Sequence, residues 1–354
     1  MGLGYINPSG KLLRHLDRLA AWRAGKPFAP IGVEIDLTNR CNLGCKHCHF
    51  AYTHSRSRLA KKETRYLDMG DEMDLRLLVR ILGEMKEFGV KSVTFTGGGE
   101  PTLYPAFGQA IVAARGAGLE VGLYTNGTLI TREMAELIKQ DCAWVVVSLD
   151  AADAVQYLAD KQVDAFDQAC NGTRELVKAE GNAIVGASFL LSWRHNEFYE
   201  PMQMLGRELK VDYVEFRPRV VFDADNPSVA DEDTTWARRA IPLLQKFNVW
   251  HPGFVDARVE QFRLYANYAR NYSRCDGILF TGIITPNGKM WKCVNRRGFP
   301  DSCIGDLTTE SFADVWAKQK PHTDFAKCRV LCRADVINRK LAELAKPLPH
   351  ENFV

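Results

Sequence analysis

Residues 31–48 read Ile31-Gly-Val-Glu-Ile-Asp-Leu37-Thr-Asn-Arg-Cys41-Asn-Leu-Gly-Cys45-Lys-His-Cys48. Apolar residues alternating with polar ones over 31–37 predict a strand, which delivers the chain directly into a loop carrying three thiols. Outward from this stretch the same kind of strand recurs at 92–96, 119–124, 144–149, 183–191 and 213–216, each short and rich in Val, Ile, Phe and Tyr. Helical patterns separate them. Met73, Leu77, Ile81, Leu82, Met85 and Phe88 share one helical face, and Gly89 supplies a C-terminal stop. Comparable helices are expected at about 106–117, 131–140, 165–180 and 197–209. Six alternating units predict an α/β fold with a parallel sheet and helices outside it. They fit a partial (β/α)6 TIM-like barrel better than a closed eight-unit one, with a doubly wound open sheet as the alternative.

The rest of the chain is consistent with that frame. At 354 residues it has two domains' worth of length, and 46% hydrophobic with 25% charged residues is ordinary for a globular core. This argues against a disordered, collagenous or coiled-coil chain. Lys+Arg exceeds Asp+Glu by 46 to 43, too balanced to require nucleic acid or a membrane as partner. No apolar run is long enough to span a bilayer. The first residues lack both a signal-peptide pattern and a myristoylation pattern, so the expected compartment is the cytoplasm. Leu12, Leu13, Leu16, Leu19 and Ala20 predict a helix over 12–22. The acidic stretch 223–233, with Asn226-Pro227, reads as a linker, and 278–285 with 289–294 reads as a hairpin turned at Asn287-Gly288. The expected organisation is a helical extension over 1–30, a barrel over 31–235 and a small α+β module over 236–354.

Ten cysteines are the informative excess. In a chain of this size without a secretion signal they point to metal binding or catalysis. Cys41, Cys45 and Cys48 can wrap one side of a metal group, with Gly44 easing the curvature. Three thiolates suit a [4Fe–4S] cube with one iron open. Structural zinc, with His47 or His49 as fourth ligand, satisfies the spacing too. At the end of the second strand, Thr96-Gly97-Gly98-Gly99-Glu100-Pro101 places three glycines beside a carboxylate. Ligand sites of parallel barrels lie at the C-terminal strand ends, so this segment and the cysteine loop belong on one face. Glycines let backbone carbonyls approach a ligand, and Glu100 adds negative charge, a combination suited to an ammonium group. Neither a phosphate loop nor a dinucleotide fingerprint fits.

Together, over roughly residues 30–220, these features resemble the radical S-adenosylmethionine (radical SAM) superfamily. The Cys-x3-Cys-x2-Cys loop matches throughout, and Gly98-Gly99-Glu100-Pro101 matches the motif that binds the amino group of SAM. The resemblance implies a partial barrel in which the open iron chelates SAM and an electron cleaves it to methionine and a 5′-deoxyadenosyl radical. It also implies cofactor contacts by matching position. His47 takes the aromatic position before the third cysteine, and His49 and Phe50 lie where adenine is held. Ser148 and Asp150 are placed for the ribose hydroxyls, Asn126 ends the third strand, and Arg217 is placed for the methionine carboxylate. The plain alternatives are that Asp150 caps a helix and Asn126 shapes a turn.

Cys275, Cys293, Cys303, Cys328 and Cys332 form a second group, and four of them suffice for a complete four-thiolate site that zinc fits equally well. Cys328 and Cys332 are one helical turn apart. The hairpin, Ile304-Gly305-Asp306-Leu307, Phe312, Trp316 and the closing pair resemble the SPASM/Twitch extension of radical SAM enzymes. The shorter Twitch form implies one auxiliary [4Fe–4S] cluster on Cys275, Cys293, Cys328 and Cys332, with Cys303 either a spare thiol or a replacement for one of the four. Electron transfer is the implied role, in a net oxidation or rearrangement of a small molecule or peptide.

The substrate is less legible. Arg56, Arg58, Lys61, Lys62 and Arg65 face a single acid, Glu63, and a solvated loop or a surface for a nucleotide or nucleic-acid-tethered group both fit. About 30 residues precede the first strand, so a built-in leader-binding domain is not expected, and a separate partner protein is the alternative source of one. A reducing partner such as flavodoxin or ferredoxin is implied by the resemblance. The rival of another class is a non-enzymatic zinc protein that binds nucleic acid, which leaves Gly98–Glu100 and Ser148/Asp150 without a purpose.

Overall fold

The computed structural model describes residues 8–46, 48, 68–192, 199–219, 235–266, 269–323, 325, 328 and 332–347. The six expected strands are β1 (Gly32–Asp36), β2 (Ser92–Thr96), β3 (Glu120–Thr125), β4 (Trp144–Ser148), β5 (Ile184–Leu191) and β6 (Tyr213–Pro218). Each pairs in parallel with the next. The helices Phe107–Gly116, Arg132–Asp141, Phe166–Lys178 and Tyr199–Glu208 match the expected spans closely.

Leu75–Phe88 shows how local signals set a boundary. The Asp74 carboxylate accepts from the Leu77 amide at 2.8 Å, and Gly89 closes the helix at φ 105°. Leu78, Ile81, Leu82 and Met85 are its buried face. Leu77 instead turns toward the C-terminal hairpin, where a Cβ on Gly288 would lie 3.1 Å from it.

Four features depart from the sequence reading. The helix expected over 12–22 is two pieces, Pro8–Leu12 and Leu16–Arg23, because His15 at φ −111°, ψ 62° leaves the helical region. An additional helix, Ala154–Lys161, follows β4. The alternation continues past residue 216: helix Thr235–Trp250 leads to β7 (Val255–Ala257), which adds in parallel to β6. Three residues are too few to show a period. Finally, the hairpin's first strand is only β8 (Thr281–Ile284), since Gly277–Leu279 forms a 3-10 turn.

β8 pairs in parallel with β1, β9 (Lys289–Trp291) runs antiparallel to β8, and β10 (Cys303–Asp306) antiparallel to β9. Among the described residues one open ten-stranded sheet results, in the order β10-β9-β8-β1-β2-β3-β4-β5-β6-β7. The hairpin turn is closed by the Gly288 amide donating to Thr285 O at 3.0 Å, with Gly288 at φ 76°. The fold is thus α/β, a partial barrel with a small α+β addition on the β1 edge. The addition shares the barrel's core: Phe312 meets Phe88 edge-on at 5.7 Å, and Trp316 Nε1 donates to Phe28 O at 2.9 Å.

Side chains alternate across the strands. Val33, Ile35, Val93, Phe95, Val145, Val147, Ala187 and Phe189 are buried in the shared apolar core. The other face carries Asp36, Tyr124, Ser148, Ser188, Glu215 and Arg217, so the barrel interior is polar. Among the described residues no helix is long and apolar enough to cross a membrane.

Candidate functional site

The cysteine loop leaves β1 and is held on three sides. Gly99 N donates to Thr38 O at 2.9 Å and Glu100 N to Arg40 O at 2.8 Å, which joins it to the glycine loop after β2. Asn126 Nδ2 donates to Asn42 Oδ1 and Asn42 Nδ2 to Thr128 Oγ1, both at 2.8 Å, which joins it to the end of β3. Gly44 N donates to Lys161 O at 2.9 Å and Lys46 N to Asp160 O at 3.0 Å, which joins it to the end of helix Ala154–Lys161. Cys41, Cys45 and Cys48 are all half-buried. Burial raises the Cys41 and Cys45 thiols, and the Lys161 ammonium opposes the rise at Cys45. Without a bound metal both thiols therefore favour the protonated form, and of the two only Cys45 has a cation beside it among the described residues.

The glycines have a packing role as well. A Cβ on Gly98 would lie 2.0 Å from Asn39 Oδ1, and one on Gly99 would lie 1.9 Å from Arg40 O. The missing side chains let the two loops touch each other. Gly97 O accepts from Arg297 Nη2 at 3.0 Å, so that carbonyl is engaged inside the protein. Gly99→Ala has no room because its obstacle is backbone. We expect it to cost about 1–3 kcal/mol in a denaturant melt and to weaken SAM binding, with Gly98→Ala milder because the Asn39 side chain can shift.

Glu100 is buried and takes four donors. Oε1 accepts from Thr102 N (3.1 Å), Thr102 Oγ1 (2.8 Å) and Thr125 Oγ1 (2.7 Å), and Oε2 from Asn126 N (2.7 Å). Burial raises its carboxyl, and these hydrogen bonds pull it back. Among the described residues Oε2 has this one donor, which leaves a lone pair for another. Asn126 does shape a turn: its Oδ1 accepts from Thr128 N at 2.9 Å and from Thr128 Oγ1 at 2.7 Å. Asp150 caps no helix, since Asp153 accepts from Gln156 N at 2.8 Å instead. Asp150 sits at φ 58°, a left-handed conformation for a non-glycine. It is anchored there by the Leu190 amide, which donates to Oδ1 at 2.8 Å, and by a buried ion pair with Lys161. Ser148 is half-buried at the end of β4, opposite Ser188 in the register.

Arg217 lies deeper. It pairs with Glu215 at 3.1 Å, donates to Ser188 Oγ at 2.9 Å and faces the Tyr124 ring at 5.9 Å. Arg258, just past β7, pairs with the same glutamate. Burial opposes ionisation of Glu215, but the two guanidiniums hold its carboxyl below the usual range. The sequence reading missed Lys161, Glu215, Arg258, Asp36 and Arg297. The period-2 spacing of Glu215 and Arg217 was a usable signal; the others have no local one. His47, His49 and Phe50 lie outside the described residues, as does the basic stretch 51–65.

Cys275, Cys293, Cys328 and Cys332 border one cavity of about 110 Å³, together with Glu34, Lys292 and Ser302. Cys303 stands apart, its thiol against Gly305 O at 3.6 Å. Asn338 Nδ2 donates to Cys275 Sγ at 3.1 Å, and the amides of Asn295 and Arg296 are directed at the Cys293 thiol. Burial pushes Cys293 up to about 12 and raises Cys275 and Cys332 as well. Among the described residues no three His, Cys, Asp or Glu side chains converge on a single-ion site. Four thiols border the cavity and N–H donors reach two of them, Cys275 and Cys293, a donor set that suits a thiolate-held metal group.

Residues 35–191 match the radical SAM superfamily. Fe-coproporphyrin III synthase of Methanosarcina barkeri is 26% identical over 245 residues, 68% of this chain and 56% of that protein. The mycofactocin maturase MftC of Mycobacterium tuberculosis is 32% identical over 188 residues, 52% of this chain and 44% of that protein. The chain therefore spans about half the length of these curated relatives. Among solved structures, Streptococcus suis SuiB bound to the precursor peptide SuiA superposes with a TM-score of 0.62 at 17% identity, covering 88% of this chain and 70% of SuiB. That likeness extends over the fold on both sides of the matched segment. Residues 35–191 are a radical SAM domain, and S-adenosylmethionine and a [4Fe–4S] cluster are its cofactors.

Proposed function

We propose that the chain is a radical SAM enzyme that carries out a net oxidation or rearrangement of a peptide or small molecule, assisted by one auxiliary [4Fe–4S] cluster. The four-cysteine cavity beside the barrel carries this reading. When bound, SAM and the first cluster supply a 5′-deoxyadenosyl radical that takes a hydrogen atom from the substrate. In this reading Cys41, Cys45 and Cys48 hold the first cluster, and the loop Gly98–Pro101 receives the amino group of SAM at the free lone pair of Glu100 Oε2. Ser148 and Asp150 receive the ribose, Asn126 closes the same face, and Arg217 receives the carboxylate. His47, His49 and Phe50 complete the adenine side. Cys275, Cys293, Cys328 and Cys332 would hold the second group, which would supply an electron acceptor for a net oxidation. The initiating electron comes from a low-potential donor of the flavodoxin or ferredoxin kind.

SuiB's bound precursor peptide and the maturase name of MftC support a peptide substrate. The sequence sets the limits at 31–235 for the barrel and 236–354 for the cluster module; because helix Thr235–Trp250 leads to β7, which pairs with β6, the reading moves that boundary beyond Ala257. Anaerobic reconstitution followed by iron, sulfide and zinc analysis tests the reading. We expect about eight iron and eight sulfide per chain for two [4Fe–4S] clusters. Cys293→Ser should lose about half of both, and Cys303→Ser neither. Zinc without sulfide would overturn the reading in favour of a zinc protein.

A further inference from the structure

One buried ion pair connects the two cysteine sites. Arg297 lies four residues after Cys293, in the segment between β9 and β10, and its side chain is 2% exposed. One guanidinium nitrogen pairs with Asp36 Oδ2 at the end of β1, and the other donates to Gly97 O at 3.0 Å. Asp36 is fully buried, and its Oδ1 has no hydrogen-bond partner among the described residues. Burial raises the Asp36 carboxyl, and Arg297 opposes the rise.

Such a pair is a poor source of stability. Two charges lose their hydration, one carboxylate oxygen stays without a donor, and apolar side chains of similar size often fill such a place at no loss. What an arginine does here that an apolar residue does not is hold two acceptors at once with a rigid fork. One acceptor belongs to β1, five residues before Cys41. The other opens the glycine loop, whose Gly99 and Glu100 amides bind the cysteine-loop carbonyls. On the far side, Cys293 and Arg296 border the four-cysteine cavity. A short covalent and hydrogen-bonded path thus runs from Cys293 through Arg297 to Gly97 and onward to Cys41.

We infer that Arg297 is a positioning residue that couples the four-cysteine cavity to the glycine loop, so that filling either site tightens the other. The inference rests on the proposed reading of the loop as the SAM site and of the cavity as a cluster site. Coupling between binding sites is reciprocal, so it is readable from both ends.

The test uses full-length, anaerobically reconstituted protein. SAM affinity is measured by equilibrium dialysis, and the midpoint potential of the second cluster by EPR-monitored titration with and without SAM. In the wild type, SAM shifts that potential. Arg297→Met is expected to weaken SAM binding about tenfold or more, as for loss of a charged hydrogen bond, and to abolish the shift. Arg297→Lys, which reaches one acceptor, should recover part of the affinity. In Asp36→Leu/Arg297→Met the thermal midpoint lost in the single variant should return while SAM affinity stays low. Wild-type affinity in Arg297→Met, or affinity returning together with stability in the double variant, overturns the inference. A wild type with iron for one cluster overturns the coupling along with the auxiliary-cluster reading. Iron analysis identifies that failure before any variants are compared.

Discussion

Replacing Cys45 with serine is expected to reduce SAM-dependent 5′-deoxyadenosine formation to background and to remove about four iron per chain, the content of one [4Fe–4S] cluster. The amides of Gly44 and Lys46 on either side of Cys45 are tied to the end of helix Ala154–Lys161. Lys161 favours ionisation of the Cys45 thiol against the effect of burial. A serine hydroxyl keeps the shape but is not a soft thiolate ligand. Because the side chains are nearly isosteric, the metal-free variant should unfold within about 1 kcal/mol of wild type. Loss of activity would then be a loss of cluster rather than of fold. Cys142→Ser is the control: that thiol is buried in the apolar core and belongs to neither ligand set, so the change should lower stability and leave iron content intact. Wild-type 5′-deoxyadenosine formation in Cys45→Ser would sink the assignment of this loop.

The second large effect is expected at Lys161. Its ammonium and the Asp150 carboxylate are both 3% exposed and pair directly. Lys161→Met leaves Asp150 buried without its counter-charge, and breaking a buried pair from one side costs about 3–5 kcal/mol. The position has a second demand on it, because Asp150 is held at φ 58° by this pair and by the Leu190 amide. Denaturant melts of the metal-free protein should show the loss. In Asp150→Leu/Lys161→Met most of the stability should return, since no charge is then stranded. SAM affinity should not return, because Asp150 is the proposed ribose partner. If the double variant binds SAM normally, Asp150 is a structural residue and its place in the cofactor site is wrong.

Several elements were readable from spacing alone. Helix Leu75–Phe88 announces itself with Asp74 at the start, Gly89 at the end and an apolar stripe between. β1 and β2 alternate apolar and polar residues, and the motif loops follow them directly. β7 was not readable, since Val-Asp-Ala is too short for a period, and its place was set by pairing with β6. The hairpin was legible through Asn287-Gly288, but nothing in it says that β8 docks in parallel on β1. The glycines after β2 were legible as a special loop. Their reason was not: the obstacle to a side chain is the segment Asn39-Arg40, about sixty residues earlier in the chain.

The order of strands and helices, the polar barrel interior and the three-thiol loop follow from the order of residues along the chain. Each is encoded within a few residues, where side-chain period, caps and turn chemistry act. The partners of the buried charges are a different matter. Asp36 meets Arg297, 261 residues away, and Cys275 comes to share a cavity with Cys332. Such distances depend on how β8 closes onto the edge of the sheet. A buried charge takes whichever partner that closure brings within reach, because leaving it unpaired is the costly alternative.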